Sequence, residues 1–337
     1  MPPQLQSTTA LIALDWGTSS LRAYRFDQQG KLTDKRSLPW GIMNLPAAES
    51  VTAASEASDT TADAGFRRAL QAACGDWLQD SPGAPLIAAG MIGSKQGWRE
   101  VPYLEVPLAV ADIGKTLTAV EAGVGTMQRV VHIVPGLLQR SALPNVMRGE
   151  ETQVAGIVDH LQVDDILIGL PGTHSKWVHV RDRRITHFDT FMTGEMYAAL
   201  SGHTILGRTM QRDGRPDDAA FLRGAGVAGT AAGRAGMLST MFSCRTLGLT
   251  GELSPGAQAD YLSGLLIGHE IAALLTLPPF IDGSLPSSQR IALIGDEALC
   301  QRYQRVLALY GVAQADIAAA ATEHGLWTLA RHAGLIA

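Results

Sequence analysis

Four clusters in this chain combine residue types that chemistry needs. The first is Asp15-Trp16-Gly17-Thr18-Ser19-Ser20, a carboxylate followed by a turn of small and hydroxyl residues. Gly17 lets a backbone approach phosphate oxygens, and Thr18, Ser19 and Ser20 supply hydroxyl and N–H donors. Asp15 can hold Mg²⁺ through water, because that ion keeps oxygen ligands and sheds its shell reluctantly. The second, Gly172-Thr173-His174-Ser175-Lys176, offers similar donors plus a cation that can offset developing phosphate charge. The third, Arg148-Gly149-Glu150-Glu151, sets two carboxylates at the start of a predicted helix. Acidic residues suit a helix N-terminus in any protein, and either one could also serve as general base for an alcohol attacking phosphorus. The fourth runs from Gly90 to Arg99 and holds Gly93, Ser94, Lys95, Gly97, Trp98 and Arg99, the composition of a binding loop. Its cations can pair with a carboxylate. There is no GxxxxGK[ST], HExxH or GxSxG pattern, so a Walker loop, a zincin site and a hydrolase elbow lack support.

The elements that must position these clusters follow from apolar patterning. Leu11–Leu14 reads as a buried strand ending at Asp15, and Leu21–Phe26 and Lys31–Leu38 complete three antiparallel strands. Phe66–Leu78 has helical spacing, and Leu86–Ala89 is a short strand entering Gly90. In the middle of the chain Ile166–Leu170 ends in the second small-residue turn. Trp177–Arg181 and Arg184–Phe188 then flank Asp182-Arg183. This strand–turn–strand–turn–strand unit repeats the opening about half a chain later. Helices are expected from Glu150 to His160, over Asp217–Met241, over Ala257–Leu277 before Pro278-Pro279, over Ala298–Tyr310 with Asp296 near its cap, and over Ala320–Ala333. Ile291–Ile294 reads as a last buried strand, Met1–Ala10 as a frayed tail, and Ala47–Ala64 as an Ala/Ser/Thr-rich stretch.

Composition sets the outer bounds. A chain of 337 residues with 46% apolar and 18% charged residues is globular in type and long enough for about two domains. The net charge of −5, with no basic block, argues against a nucleic-acid partner. The longest greasy run, Ile271–Leu277, is far short of the ~20 residues of a membrane span. There is no export-signal pattern at the start. Cys74, Cys244 and Cys300 are odd in number and far apart, which favours a reducing cytoplasm.

Together the motifs resemble the actin, heat-shock chaperone and sugar kinase superfamily. Asp15–Ser19 looks like its first phosphate motif, Gly149-Glu150-Glu151 its first connecting segment, and Gly172-Thr173 its second phosphate motif. Ile291–Asp296 looks like its adenosine segment and Gly325–Leu335 its second connecting segment. The second phosphate motif departs from the superfamily, which usually carries an Asp there. Gly93–Trp98, Met147–Gln153, Pro171–Trp177 and Phe191–Glu195 narrow the resemblance to the 2-dehydro-3-deoxygalactonokinases.

The resemblance implies an α/β fold of two ribonuclease-H-like domains, with mixed five-stranded sheets and a cleft between them. Residues 1–146 and 147–337 would form the two domains, with the last helix packing back on the first. The implied reaction moves the ATP γ-phosphoryl group to the 6-hydroxyl of 2-dehydro-3-deoxy-D-galactonate. Another sugar or sugar-acid kinase, or an ATP-driven chaperone, are the alternatives. Implied ATP contacts are Asp15, Gly17, Thr18, Ser19, Gly172, Thr173, His174, Lys176, Gly295 and Asp296, with Mg²⁺ on Asp15. Glu150, or else Glu151, would be the base. Ser94, Lys95, Gly97, Trp98, Arg99 and Arg148 would bind the sugar acid, its carboxylate anchor being Lys95, Arg99 or Arg148. The partners expected are the small sugar acid and ATP, with a homodimer as a further expectation and no membrane.

Overall fold

The computed structural model describes residues 9–47, 61–124, 127–211, 215–277, 289–312 and 314–337. The expectations for the frayed tail up to residue 8, for 48–60 and for Pro278-Pro279 lie outside them.

The chain begins with β1 (Thr9–Trp16), β2 (Leu21–Asp27), β3 (Leu32–Leu38), α1 (Thr61–Asp80) and β4 (Leu86–Gly90). Next come β5 (Leu104–Glu105), β6 (Leu108–Ala109), α2 (Val110–Gly114), β7 (Thr118–Val124), β8 (Met127–Ile133), β9 (Leu137–Gln139), β10 (Asn145–Met147) and α3 (Glu150–His160). The second strand unit is β11 (Ile166–Leu170), β12 (Ser175–Arg181) and β13 (Arg184–Phe191). Helices α4 (Thr193–His203), α5 (Asp218–Gly226), α6 (Met237–Thr240), α7 (Ser243–Leu249) and α8 (Pro255–Leu274) follow. The chain closes with β14 (Ile291–Leu293), α9 (Glu297–Leu309), β15 (Asp316–Ile317) and α10 (Ala321–His332).

The fold is mixed α/β. Among the described residues the sheets run β3-β2-β1-β4-β8-β7, β10-β9-β5 and β15-β14-β11-β12-β13-β6. They therefore have six, three and six strands, not the five that the resemblance implies. Each long sheet thus carries one strand more than implied, and in the third sheet both edge strands, β6 and β15, are only two residues long. The first sheet is mixed: β1 is antiparallel to β2 and parallel to β4.

The chain divides into two compact units. The first comprises Met1–Asp164, Val180–His187 and Ala320–Ala337; the second comprises Asp165–His179 and Phe188–Ala319. In the first unit β1 is buried on both faces, as a central strand of a covered sheet must be. Its core packs Leu14, Trp16, Phe66, Trp77 and Trp98 with the aliphatic residues of β4 and β8. Helix α10 lies along α3 at the closest approach that backbones allow. A Cβ on Gly156 would sit 2.3 Å from Ala321 O, and one on Gly325 would sit 1.9 Å from Thr152 O. Trp327 of α10 meets Phe26 at 5.6 Å between ring centroids.

Among its described residues the second unit holds two apolar clusters. One packs Trp177, Phe221, Ile271, Leu293 and Tyr303; the other packs Leu200, Cys244, Tyr261 and Leu265. The stretch expected to be helical over Asp217–Met241 breaks after α5 into single 3₁₀ turns and the short α6. Glycine is the cause. Gly236 takes φ +101°, and Gly233 packs where a Cβ would lie 2.0 Å from Val227 O. Ile291–Ile294 was expected to be the last strand, but β15 follows it, parallel to β14. Two residues leave too little pattern to read.

Candidate active site

In the first unit a cavity of about 310 Å³ forms where β1 and β4 end and α3 begins. Asp15, Gly17, Thr18, Gly90, Arg148, Gly149, Glu150, Gln153 and Thr322 are among the residues lining it. Asp15 reaches it from the end of β1, in register with Arg22 of β2. Arg22 Nη1 donates to Asp15 Oδ2 at 3.0 Å. Burial raises the Asp15 pKa above the usual carboxylate value, against the lowering pull of Arg22. The turn is closed by Gly17 N–H donating to Ser20 O at 2.9 Å. Met43 N–H donates to Thr18 O at 3.1 Å, and Gly41 passes so close that a Cβ would lie 2.1 Å from Thr18 O. Thr18 and Ser19 are exposed; Thr18 lines the cavity and Ser19 does not.

Gly149 caps α3 with φ +109°, a conformation that only glycine enters without strain. The two glutamates that follow both fold back on the helix start. Glu150 Oε2 accepts Arg148 N–H at 3.0 Å, and Glu151 Oε2 accepts Gly149 N–H at 2.6 Å. Their environments differ. Glu150 lines the cavity, whereas Glu151 is wholly buried and also accepts the Thr152 hydroxyl at 3.1 Å. Burial, and then the neighbouring Glu150 charge, push Glu151 up to about 8. A carboxyl whose folded pKa is raised stabilises the fold fully below its unfolded value near 4.5. That contribution is lost as pH rises from there toward 8. Glu151→Gln is therefore expected to gain thermal stability over wild type by several degrees more at pH 9 than at pH 5, read from paired melting curves. Equal offsets at both pH values would contradict the raised pKa.

The glycine-rich segment after β4, expected to be a binding loop, is partly core. Trp98 is a core residue, 6% exposed, stacked on Phe66 at 5.6 Å and edge-on to Trp16 at 6.3 Å. Gly97 permits the tight return, since a Cβ there would lie 2.1 Å from Ile92 O. Lys95 and Arg99 are exposed and do not line the cavity. Arg148 is held: Nη2 donates to Val101 O at 2.7 Å, and the guanidinium lies 4.4 Å from the Tyr103 ring. Its Nε and Nη1 are buried and have no hydrogen-bond partner, as is Ser94 Oγ. Buried donors of this kind call for an acceptor.

In the second unit a cavity of about 480 Å³ lies between the turn after β11 and helices α4, α8 and α9. Gly172, Thr173, Thr193, Tyr197, Leu266, Ile267, Asp296, Leu299, Arg302 and Tyr303 contribute to its wall. Gly194 lets α4 rest on the turn, where a Cβ would lie 2.4 Å from Gly172 O, and Glu195 N–H donates to Thr173 O at 3.0 Å. Asp296 caps α9 by accepting Leu299 N–H at 3.0 Å. The preceding Gly295, at φ +153°, does not itself line the cavity. His174 and Lys176 do not line it either. His174 contacts Glu195 through Nε2, and Lys176 is buried with Nζ donating to Thr190 Oγ1 at 2.7 Å. Its wall is largely apolar, with hydroxyl and charged groups among the lining residues, the make-up of a small-molecule pocket. Tyr197, Leu266, Ile267 and Arg302 were missed by the sequence reading. They lie on helices whose apolar spacing is indistinguishable from core packing.

The chain is similar to several known proteins. It shares 36% identity over 307 residues with a probable 2-dehydro-3-deoxygalactonokinase of Rhizobium meliloti (strain 1021), covering 89% of each chain. It shares 30% identity with the 2-dehydro-3-deoxygalactonokinase of Escherichia coli (strain K12), covering 90% of this chain and 91% of that one. A Sinorhizobium meliloti crystal structure assigned the same activity superposes with a TM-score of 0.78 at 32% identity, over 95% of this chain and 98% of that one. The 2-keto-3-deoxy-galactonokinase family model matches residues 15–329, from the Asp15 turn into α10, and the chain belongs to that family.

Proposed function

We propose that this chain transfers the γ-phosphoryl group of ATP to the 6-hydroxyl of 2-dehydro-3-deoxy-D-galactonate. The observation that carries this reading is that Asp15 and Glu150 line one cavity, beside a hydroxyl-bearing turn. Family membership supports the kinase activity and the substrate. In this reading Glu150 takes the proton from the 6-hydroxyl as its oxygen attacks phosphorus. Glu151 holds the Gly149 N–H and with it the helix start. Arg148 and Ser94, whose buried donors are unfilled, receive the substrate carboxylate. The turns at Gly17–Ser19 and Gly172–His174 each offer donors to phosphate oxygens, and the cavity of the second unit takes the adenosine. Lys176, held on Thr190, acts only at a distance.

Asp15 is the residue that would hold Mg²⁺, through water. Among the described residues no group of three or more His, Cys, Asp or Glu could bind a metal by itself. Bound there with the nucleotide, the ion would offset charge on its phosphates. The same reading takes the chain as two ribonuclease-H-like domains, residues 1–146 and 147–337, whose bounds differ from those of the two compact units, and a homodimer as the working form. Three free, buried cysteines fit a reducing cytoplasm, and no described helix is long and apolar enough to cross a membrane.

A coupled assay for ADP release tests this. The galactonate-derived 2-keto-3-deoxy acid, its gluconate-derived epimer and plain hexoses are compared as acceptors. Turnover is expected to be fastest with the first, and ³¹P NMR of the product should show a primary phosphate ester. ADP release that ignores the acceptor would favour a chaperone-like ATPase instead.

A further inference from the structure

Glu270 lies on α8, 3% exposed, inside the apolar cluster of the second unit. A carboxylate out of water is costly unless donors fill its lone pairs. Here donors from three other elements do so. Glu270 Oε1 accepts Trp177 Nε1–H of β12 at 2.8 Å, and Oε2 accepts the Tyr303 hydroxyl of α9 at 2.7 Å. The Thr193 hydroxyl, at the first residue of α4, also donates to Oε2. Tyr303 OH lies a further 2.9 Å from Ser175 Oγ. Ser175 and Trp177 follow directly on the Gly172–His174 turn. Thr193 precedes Gly194, the residue that seats α4 on Gly172 O. Thr193 and Tyr303 both line the cavity; Glu270 does not. A hydrophobic residue at this place would fill the space but could gather none of these groups.

We propose that Glu270 is a positioning residue for the nucleotide pocket: one buried carboxylate fixes the strand after the phosphate turn, the start of α4 and the wall of α9 in a single arrangement. This rests on the reading of the second-unit cavity as the ATP site. Nothing in the proposal needs the negative charge itself. An amide could accept Trp177 N–H through its oxygen and donate both N–H groups to the hydroxyl oxygens of Thr193 and Tyr303.

The test compares Glu270→Ala, Glu270→Gln and Tyr303→Phe in the full chain. It measures the Kd for ATP by calorimetry, KM for ATP and for the sugar acid, and the thermal midpoint. Glu270→Ala is expected to raise the ATP Kd about tenfold or more, by leaving buried donors unpaired around the turn. Its KM for the sugar acid should stay within about twofold of wild type. Glu270→Gln should restore the Kd to within about threefold, and Tyr303→Phe should raise it by about three- to tenfold. Unchanged ATP affinity in Glu270→Ala overturns the proposal, as does an equal loss in Glu270→Gln. A fall in thermal midpoint with both KM values shifted alike means a structural role only and overturns it too. Should Glu270→Ala fail to fold, Tyr303→Phe and Thr193→Val decide the matter on the same Kd. Absence of ATP binding by the wild type would instead remove the nucleotide reading beneath it.

Discussion

Replacing Asp15 with alanine is expected to cut kcat by about 10³-fold while leaving the thermal midpoint near that of wild type. Loss of activity follows from position. Asp15 is the carboxylate at the end of β1, in the cavity that also holds Glu150, and it is the group proposed to hold the metal–triphosphate complex. Phosphoryl transfer relies on positioning and charge stabilisation, so a misplaced triphosphate loses most of the catalysis. Stability is spared for a different reason. The folded state raises the pKa of Asp15, and at neutral pH its charge therefore works against folding. The pair with Arg22 returns little, because Arg22 is half exposed and pairs of that kind are worth about 0–1 kcal/mol. Single-turnover phosphorylation beside a melting curve checks both halves. Full activity in the variant would refute the role.

Glu150→Gln and Glu151→Gln should separate cleanly. Glu150→Gln is expected to lower kcat by roughly a hundredfold or more, the usual cost of losing a general base. The amide can still accept Arg148 N–H, so the start of α3 stays in place and the KM for ATP should hold. Glu151→Gln should keep kcat within about threefold of wild type at pH 7. With its pKa near 8, Glu151 is mostly neutral there, and a glutamine is close to a neutral carboxylic acid in shape and hydrogen bonding. Its oxygen still accepts Gly149 N–H. If both variants keep normal kcat, the base lies elsewhere; if Glu151→Gln alone collapses, the two roles are exchanged.

Much of this was legible in the residues. Apolar runs ending in small-residue turns located β1 and β11. The Arg148-Gly149-Glu150-Glu151 string located the start of α3, and its expected span of Glu150–His160 is the observed one. What escaped did so for physical reasons. The hairpin β7–β8 has charged and polar residues on both strands, with Val130 exposed at 42%, so no clean alternation marks it. Arg22 and Glu270 act through cross-strand register and tertiary burial, neither of which a local window contains. Trp98 misled because an aromatic among glycines has the composition of a binding loop, whereas tertiary packing made it core. The choice between Glu150 and Glu151 could not be read from adjacent identical residues. Burial separates them, and burial is a property of the fold.

The last helix has a consequence for how the protein is made. Helix α10 covers α3 and completes the first compact unit, yet roughly 155 residues are translated between that unit's first long segment and its final piece. At ribosomal speeds of about 5–20 residues per second, the nascent chain waits roughly 8–31 s with the Gly156 face of α3 bare. During that interval the early sheet is a natural client for chaperones, and the unit closes only when Gly325 arrives.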